Sequence, residues 1–257
     1  GGVLNLSTLI GAHSRLALNN TYDRTADNDA RVERGSLESY GIPVMIQRMQ
    51  YVERRVFSSQ LSGEHELFRG SRFNWAATAS GVGRREPDRS EFVQQITQDP
   101  ATGTERLEWF HSNEGAVRTF ANLDEKSYEG RGEYLFDIGQ AQQHHLKVGG
   151  LYRTTQRDAD NRAYNIFAQT MSDSVRSLPP EQLFGGAFTA PDSLVLDLRP
   201  LGQGGSYSAD DRLSAAFAMA DVALGSRFRL VGGGRLENWR LTVDGQSSLG
   251  RPTHVVR

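Results

Sequence analysis

The chain has 257 residues, 29 of them basic and 31 acidic, with a formal net charge of -2, a mean hydropathy of -0.53 and its charges spread along the whole length. That spread leaves no basic face to hold a phosphate backbone, which argues against nucleic acid, and no run nears the roughly 18 apolar residues of a membrane-spanning helix. Cysteine is absent, which removes disulfides, thiolate metal sites and cysteine nucleophiles together, while 27 Gly, 8 Pro and many small polar residues favour strands and turns over long helices.

The elements are read from alternation, because residues two apart in a strand share a face. Residues 3–8 read as a strand already under way, with no initiator methionine and no basic stretch followed by an apolar signal core, so the chain is expected to begin inside a longer polypeptide. Residues 15–22 form the next strand. In 51–67 one face carries Tyr51, Phe57, Leu61, Gly63 and Leu67 and the other Arg54, Ser58, Gln60, Ser62, Glu64 and Glu66. Residues 73–82 follow with weaker alternation. The clearest split is in 128–138, where Tyr128, Gly130, Gly132, Tyr134, Phe136 and Ile138 oppose Glu129, Arg131, Glu133, Leu135 and Asp137; a helix would scatter those charges around its circumference. Strands over 145–155, 213–223 and 228–237 bring the count to about eight.

Links of unequal length join them. Residues 9–14, 68–72, 139–144 and 224–227 read as tight turns, whereas 23–45, 84–118 and 156–207 read as long polar loops, well beyond the roughly 12 to 15 residues usual in a compact domain. Strict alternation of short and long links puts every long loop on one rim of an antiparallel meander, the layout of an outer-membrane barrel. Phe68, Phe73, Trp75, Tyr134, Phe136 and Phe228 gather where strands meet the short turns, as an interfacial aromatic girdle would. A soluble sandwich needs bulky inward residues, but Ala77, Ala79, Gly81, Gly232 and Gly234 occupy that face.

The stretch 205–237, GSYSADDRLSAAFAMADVALGSRFRLVGGGRLE, resembles the strand, tight turn and strand unit of TonB-dependent receptor barrels, with Leu236 where the family carries tyrosine before the final Glu237. Residues 51–67, 144–167 and the segment SLPPEQLFGGAFTAPDSLVL at 177–196 are similar to other family strands and to its extracellular loop, including members with a carboxypeptidase-regulatory-like N-terminal module. The resemblance implies that residues 1–257 are a partial barrel domain: an all-β antiparallel meander of about eight strands, part of a large transmembrane β-barrel with short periplasmic turns and long extracellular loops. It further implies a 22-stranded barrel around a plug, residence in the cell outer membrane of a Gram-negative type, and energised uptake of a scarce large solute such as a siderophore, cobalamin or glycan. Expected partners are outer-membrane lipid, the plug and TonB of the full-length protein, and the imported small molecule or oligosaccharide. A non-transporting surface barrel, adhesin or porin-like, is the alternative, and a barrel lipase a third.

Lumen-facing candidates from alternation are Arg54, Gln60, Glu64, Arg131, Glu133, Lys147, Arg153 and Arg235. No catalytic residue, cofactor or metal ligand is expected. The histidines, His13, His65, His111, His144, His145 and His254, lack zinc spacing, and adjacent His144 and His145 point to opposite faces. The acidic patches 27–29 and 158–161 lack the spacing of a calcium loop and read as solvated loop tips; Gly232 to Gly234 lie inside a strand, where they ease curvature or close packing. No Gly-x-Ser-x-Gly elbow is present, and Ser58 and His65 fall on opposite faces of one strand.

Overall fold

Alternation resolves into one antiparallel sheet. The computed structural model describes residues 1–38, 41–68, 70–138, 144–169, 171–184, 196–202, 205–225, 227–247 and 250–257. Its elements are β1 (Gly2–Ile10), β2 (Ser14–Leu37), β3 (Ile42–Phe68), β4 (Ser71–Gln98), β5 (Glu105–Trp109), β6 (Ala116–Ile138), β7 (His144–Ala168), α1 (Asp173–Arg176), α2 (Pro180–Phe184), β8 (Leu196–Pro200), β9 (Tyr207–Leu224), β10 (Phe228–Gln246) and β11 (Pro252–Val256). The spatial order is β1-β2-β3-β4-β6-β7-β9-β10-β11, with β5 paired to the end of β4 and β8 to the end of β7. Among the described residues β1 and β11 pair on one side only, so the sheet is open. Among the described residues no helix is long and apolar enough to cross a membrane.

Among the described residues eleven strands replace the expected eight, and seven of them run for 18 to 28 residues. The polar stretches read as loops are mostly ladder. Residues 23–37 extend β2 and leave only a short hairpin to β3; 84–98 extend β4; 116–127 belong to β6; 156–168 extend β7. Cross-strand ion pairs help hold these extensions: Arg24 with Glu53 at 2.5 Å, Arg48 with Glu91 at 2.8 Å, and Arg54 with Asp27. Gly41, at φ 64°, supplies the left-handed residue that lets the β2–β3 hairpin turn tightly, its N–H donating to the Leu37 carbonyl. Both acidic patches lie in these extensions, Asp27 opposite Val52 and Asp160 opposite Asn122, and are ladder positions, not loop tips. The turn expected at 139–144 lies outside the described residues except for His144, and so does most of the 177–196 segment; its described part contains α2.

Beyond Arg85 the two neighbours of β4 lose one residue of register at the same place, Glu86 to Arg89. Pro87 sits there: it has no N–H for a ladder, and the bulge removes the need for one. Glu86, almost fully buried, accepts from Gln50 Nε2 at 2.7 Å and from Arg84 at 2.7 Å, which compensates its charge.

The two packed hydrophobic clusters lie at the end of the sheet away from the short turns. On one face Phe92, Trp109, Ala116 and Ala168 are capped by Val175 of α1 and Leu183 of α2; on the other Val44 and Val93 pack with Phe110. Asn165, fully buried, donates through Nδ2 to the carbonyls of Asn113 at 2.8 Å and Ser112 at 3.2 Å, pinning the link between β5 and β6. At the β4–β5 turn the N–H groups of Ala101 and Thr102 donate to the Asp99 carboxylate at 2.8 and 3.1 Å and hold its pKa below the ordinary range.

Two outcomes follow. Trp109→Ala removes the largest fully buried side chain, at a cost of about 3–5 kcal/mol to this end of the sheet; hydrogen exchange of β5 amides should rise while that of residues 128–136 stays unchanged. Because the Asp99 carboxyl is depressed, its contribution is complete above the ordinary value of about 3.9 and is lost as pH falls through the lower folded value. Proteolysis at 99–104 with an acid-tolerant protease should therefore accelerate only below about pH 4, and Asp99→Ala should bring that fast rate to neutral pH.

Candidate functional site

Register assigns every strand residue to one of two faces, and near the short turns the faces differ most on β6, where Glu129, Arg131, Glu133 and Asp137 oppose Tyr128, Tyr134, Phe136 and Ile138. One face carries no Asp, Glu, Lys or Arg over residues 16–22 of β2, 57–63 of β3, 73–83 of β4, 128–138 of β6, 146–154 of β7, 214–224 of β9 and 228–238 of β10. Its large side chains are open to the surroundings: Leu61 is 42% exposed, Phe136 39% and Leu230 62%. No second sheet covers them among the described residues. The aromatic cluster beside the turns is present, and a second line that alternation alone had not revealed, Tyr22, Phe57, Tyr128 and Tyr152, marks the opposite margin of the band.

The rows of this band are staggered relative to the turns. The row Ser14, His65, Phe73, Tyr134, Val148, Ala218, Gly234 starts at the end of β2, but lies three residues from the end of β3, four from that of β6 and six from that of β9. A drift of about one residue per strand corresponds to strands tilted by roughly 35°.

All eight lumen-facing candidates share the other face. One row crosses it as Arg15, Glu64, Asn74, Glu133, Gly149, Phe217 and Arg235. Gln60, Glu64, Arg131, Glu133 and Arg235 line a common recess of about 490 Å³ with Asn74 and Phe217. Glu133 is its hub, bonded by Lys147 Nζ at 2.8 Å and Asn74 Nδ2 at 3.1 Å, and Lys147 lies 6.0 Å from the centre of the Phe217 ring. Gln60 donates to Thr78 at 3.1 Å, and Arg235 pairs with Glu237 at 2.5 Å. Arg54, tied to Asp27, and Arg153, opposite Leu213, stand outside the recess. Asn74 and Phe217 were missed because cross-strand neighbours cannot be read from alternation within one strand. Phe217 fits over Gly149, where an added Cβ would meet the ring at 2.6 Å and the Gly132 carbonyl at 2.8 Å.

Arranged this way, the recess offers exchangeable donors and acceptors. Ser58 and His65 lie on opposite faces, whereas Ser14 and His65 do meet, Oγ to Nδ1 at 2.9 Å. Trp75 Nε1–H donates to His65 Nε2 at 2.9 Å. Since an indole only donates, Nε2 carries the lone pair and Nδ1 the proton, so His65 donates to Ser14 and cannot take its hydroxyl proton. Among the described residues no group of three His, Asp or Glu side chains is placed to hold a metal ion. No family model matches the chain, and no curated protein matches it.

Gly149→Val should push Phe217 off its seat over the backbone and release Lys147 from the ring. The check is the crystal structure or a methyl-lysine NMR probe at position 147, in which the wild type is expected to show one ordered environment and the variant several.

Proposed function

We propose that the chain is part of a large outer-membrane β-barrel of the TonB-dependent receptor type, taking up a scarce, large solute such as an iron-siderophore, a cobalamin or a glycan. The observation that carries this reading is the charge-free band, bounded by two aromatic lines and backed by a charged face. The eleven-residue spans of β4, β6, β9 and β10, ten steps of about 3.3 Å tilted by roughly 35°, rise about 27 Å, close to the ~25 Å apolar belt of such barrels. The band faces lipid, and the aromatic lines sit at the two headgroup layers. The charged face with its Glu133 recess lines the lumen and guides polar solutes, and the long extensions with α1 and α2 stand outside the cell.

Closure supports the same reading. An open edge in hydrocarbon leaves N–H and C=O groups unpaired, at several kcal/mol each, roughly. β1 and β11 therefore need further strands of the parent polypeptide, and with them the plug and its coupling to TonB. The similarity of residues 205–237 to the family's hairpin unit points to those partners.

Leu61→Arg places a charge on the proposed lipid face, at about 2–4 kcal/mol near the midplane, whereas Gln60→Arg adds one to the lumen. Expressed in the full-length protein, the first should lower the outer-membrane yield severalfold and the second should not; equal yields would remove the lipid face. For transport, cells lacking the gene should lose growth on one member of a panel of siderophores, cobalamin and oligosaccharides. They should regain it from the wild-type gene, and lose it again when the inner-membrane proton gradient is collapsed.

A further inference from the structure

Arginines stand directly opposite one another at Arg24 and Arg55, Arg31 and Arg48, Arg54 and Arg84, and Arg212 and Arg240. Like charges in such positions repel and destabilise the ladder unless something neutralises them. In the first three pairs every guanidinium has its own carboxylate: Glu53 and Asp124, Asp29 and Glu91, Asp27 and Glu86. Among the described residues Arg212 and Arg240 have none. Asp210, the acid nearest in sequence on their face, is engaged by Gln156 Nε2 at 3.3 Å, and Asp211 is turned to the other face and held by Trp239 at 3.1 Å. Both arginines are exposed.

Their place in the fold says what neutralises them. They occupy the row of Tyr128, and with the stagger of the sheet they stand just past the margin of the charge-free band on β9 and β10. Immediately within the band come Ser214 and Asn238, two hydroxyl and amide donors on the same face, and then Ala216 opposite Leu236 and Ala218 opposite Gly234. A side chain at Gly232 or Gly234 would meet nothing within 4 Å, so a shallow apolar track lies open below the two guanidiniums.

We propose that Arg212 and Arg240 form a headgroup site for a phosphate-bearing lipid, with Ser214 and Asn238 completing the donors and the alkyl chain lying along the track over Gly234 and Gly232. This rests on the reading of the band as a lipid face. A phosphate monoester or diester suits the site because two guanidinium forks match its oxygens, and its charge supplies what no carboxylate of the sheet does.

The test uses the full-length protein in neutral detergent micelles carrying brominated phosphatidylcholine with one tenth phosphatidylglycerol. Quenching of Trp75 emission, judged against Trp75→Phe, reports contact of the band with lipid. Native mass spectrometry then reports which lipid is retained. Wild type should enrich phosphatidylglycerol over phosphatidylcholine on the order of tenfold, and R212Q/R240Q should lose that enrichment. R24Q/R55Q, whose arginines already have carboxylates, should keep it. In lipid-free neutral detergent R212Q/R240Q should raise the melting temperature, since only the repulsion is removed, and the gain should shrink or reverse when phosphatidylglycerol is added. Undiminished enrichment by R212Q/R240Q overturns the site, as does equal protection of the wild type by inorganic phosphate, which would make it a free-anion site. Absent quenching of Trp75 overturns the lipid face itself, while quenching with no phosphatidylglycerol preference overturns the headgroup site alone.

Discussion

Every other feature of this sheet depends on its register. Side chains in a strand change face with each residue, so a slip by one position in the β4–β6 ladder would carry Arg131 and Glu133 onto the face of Tyr134 and Phe136 and reverse both. Such a slip would put charges on a face that has none and leave the Glu133 recess without its hub. The hairpins near the short turns hold the register by this incompatibility, more than by any single bond. Where the two faces become alike, beyond Arg55 and Arg85, other devices take over: ion pairs across the ladder, a bulge at Pro87, and a packed core around Trp109.

That division explains what the sequence could tell. Strands at 57–65 and 128–138 were legible because their two faces differ in polarity, and the structure keeps their predicted faces. The stretches 23–37 and 84–98 were not, because both of their faces carry polar groups and the period of two disappears from the composition. DRTADNDARVERGSL has the residues of a loop; it is a strand because β3 lies beside it and supplies a partner for each backbone group. β5 and β8 are five residues long, too short for a periodic signal. Pro87, which by itself argues against a central strand, was accommodated by one extra residue.

For the site, parity within a strand was enough to put all eight candidate residues on one face. Which of them meet was beyond it. Glu133 and Lys147 are joined across a turn, and Arg235 comes to the same row through two intervening strands, relations that only the ladder defines. Arg212 and Arg240 escaped notice for the same reason: each is an ordinary charge in its own strand, and their opposition exists only between strands.

The stagger of the rows has a further meaning for the charged face. Neighbours in the ladder are not level: with strands inclined by roughly 35°, each step from one strand to the next climbs about 3 Å relative to the turns. Glu64, Glu133 and Arg235, which share a row, are thus successive treads of a spiral stair. The polar groups of this face are therefore laid out along a screw thread, not in a straight column.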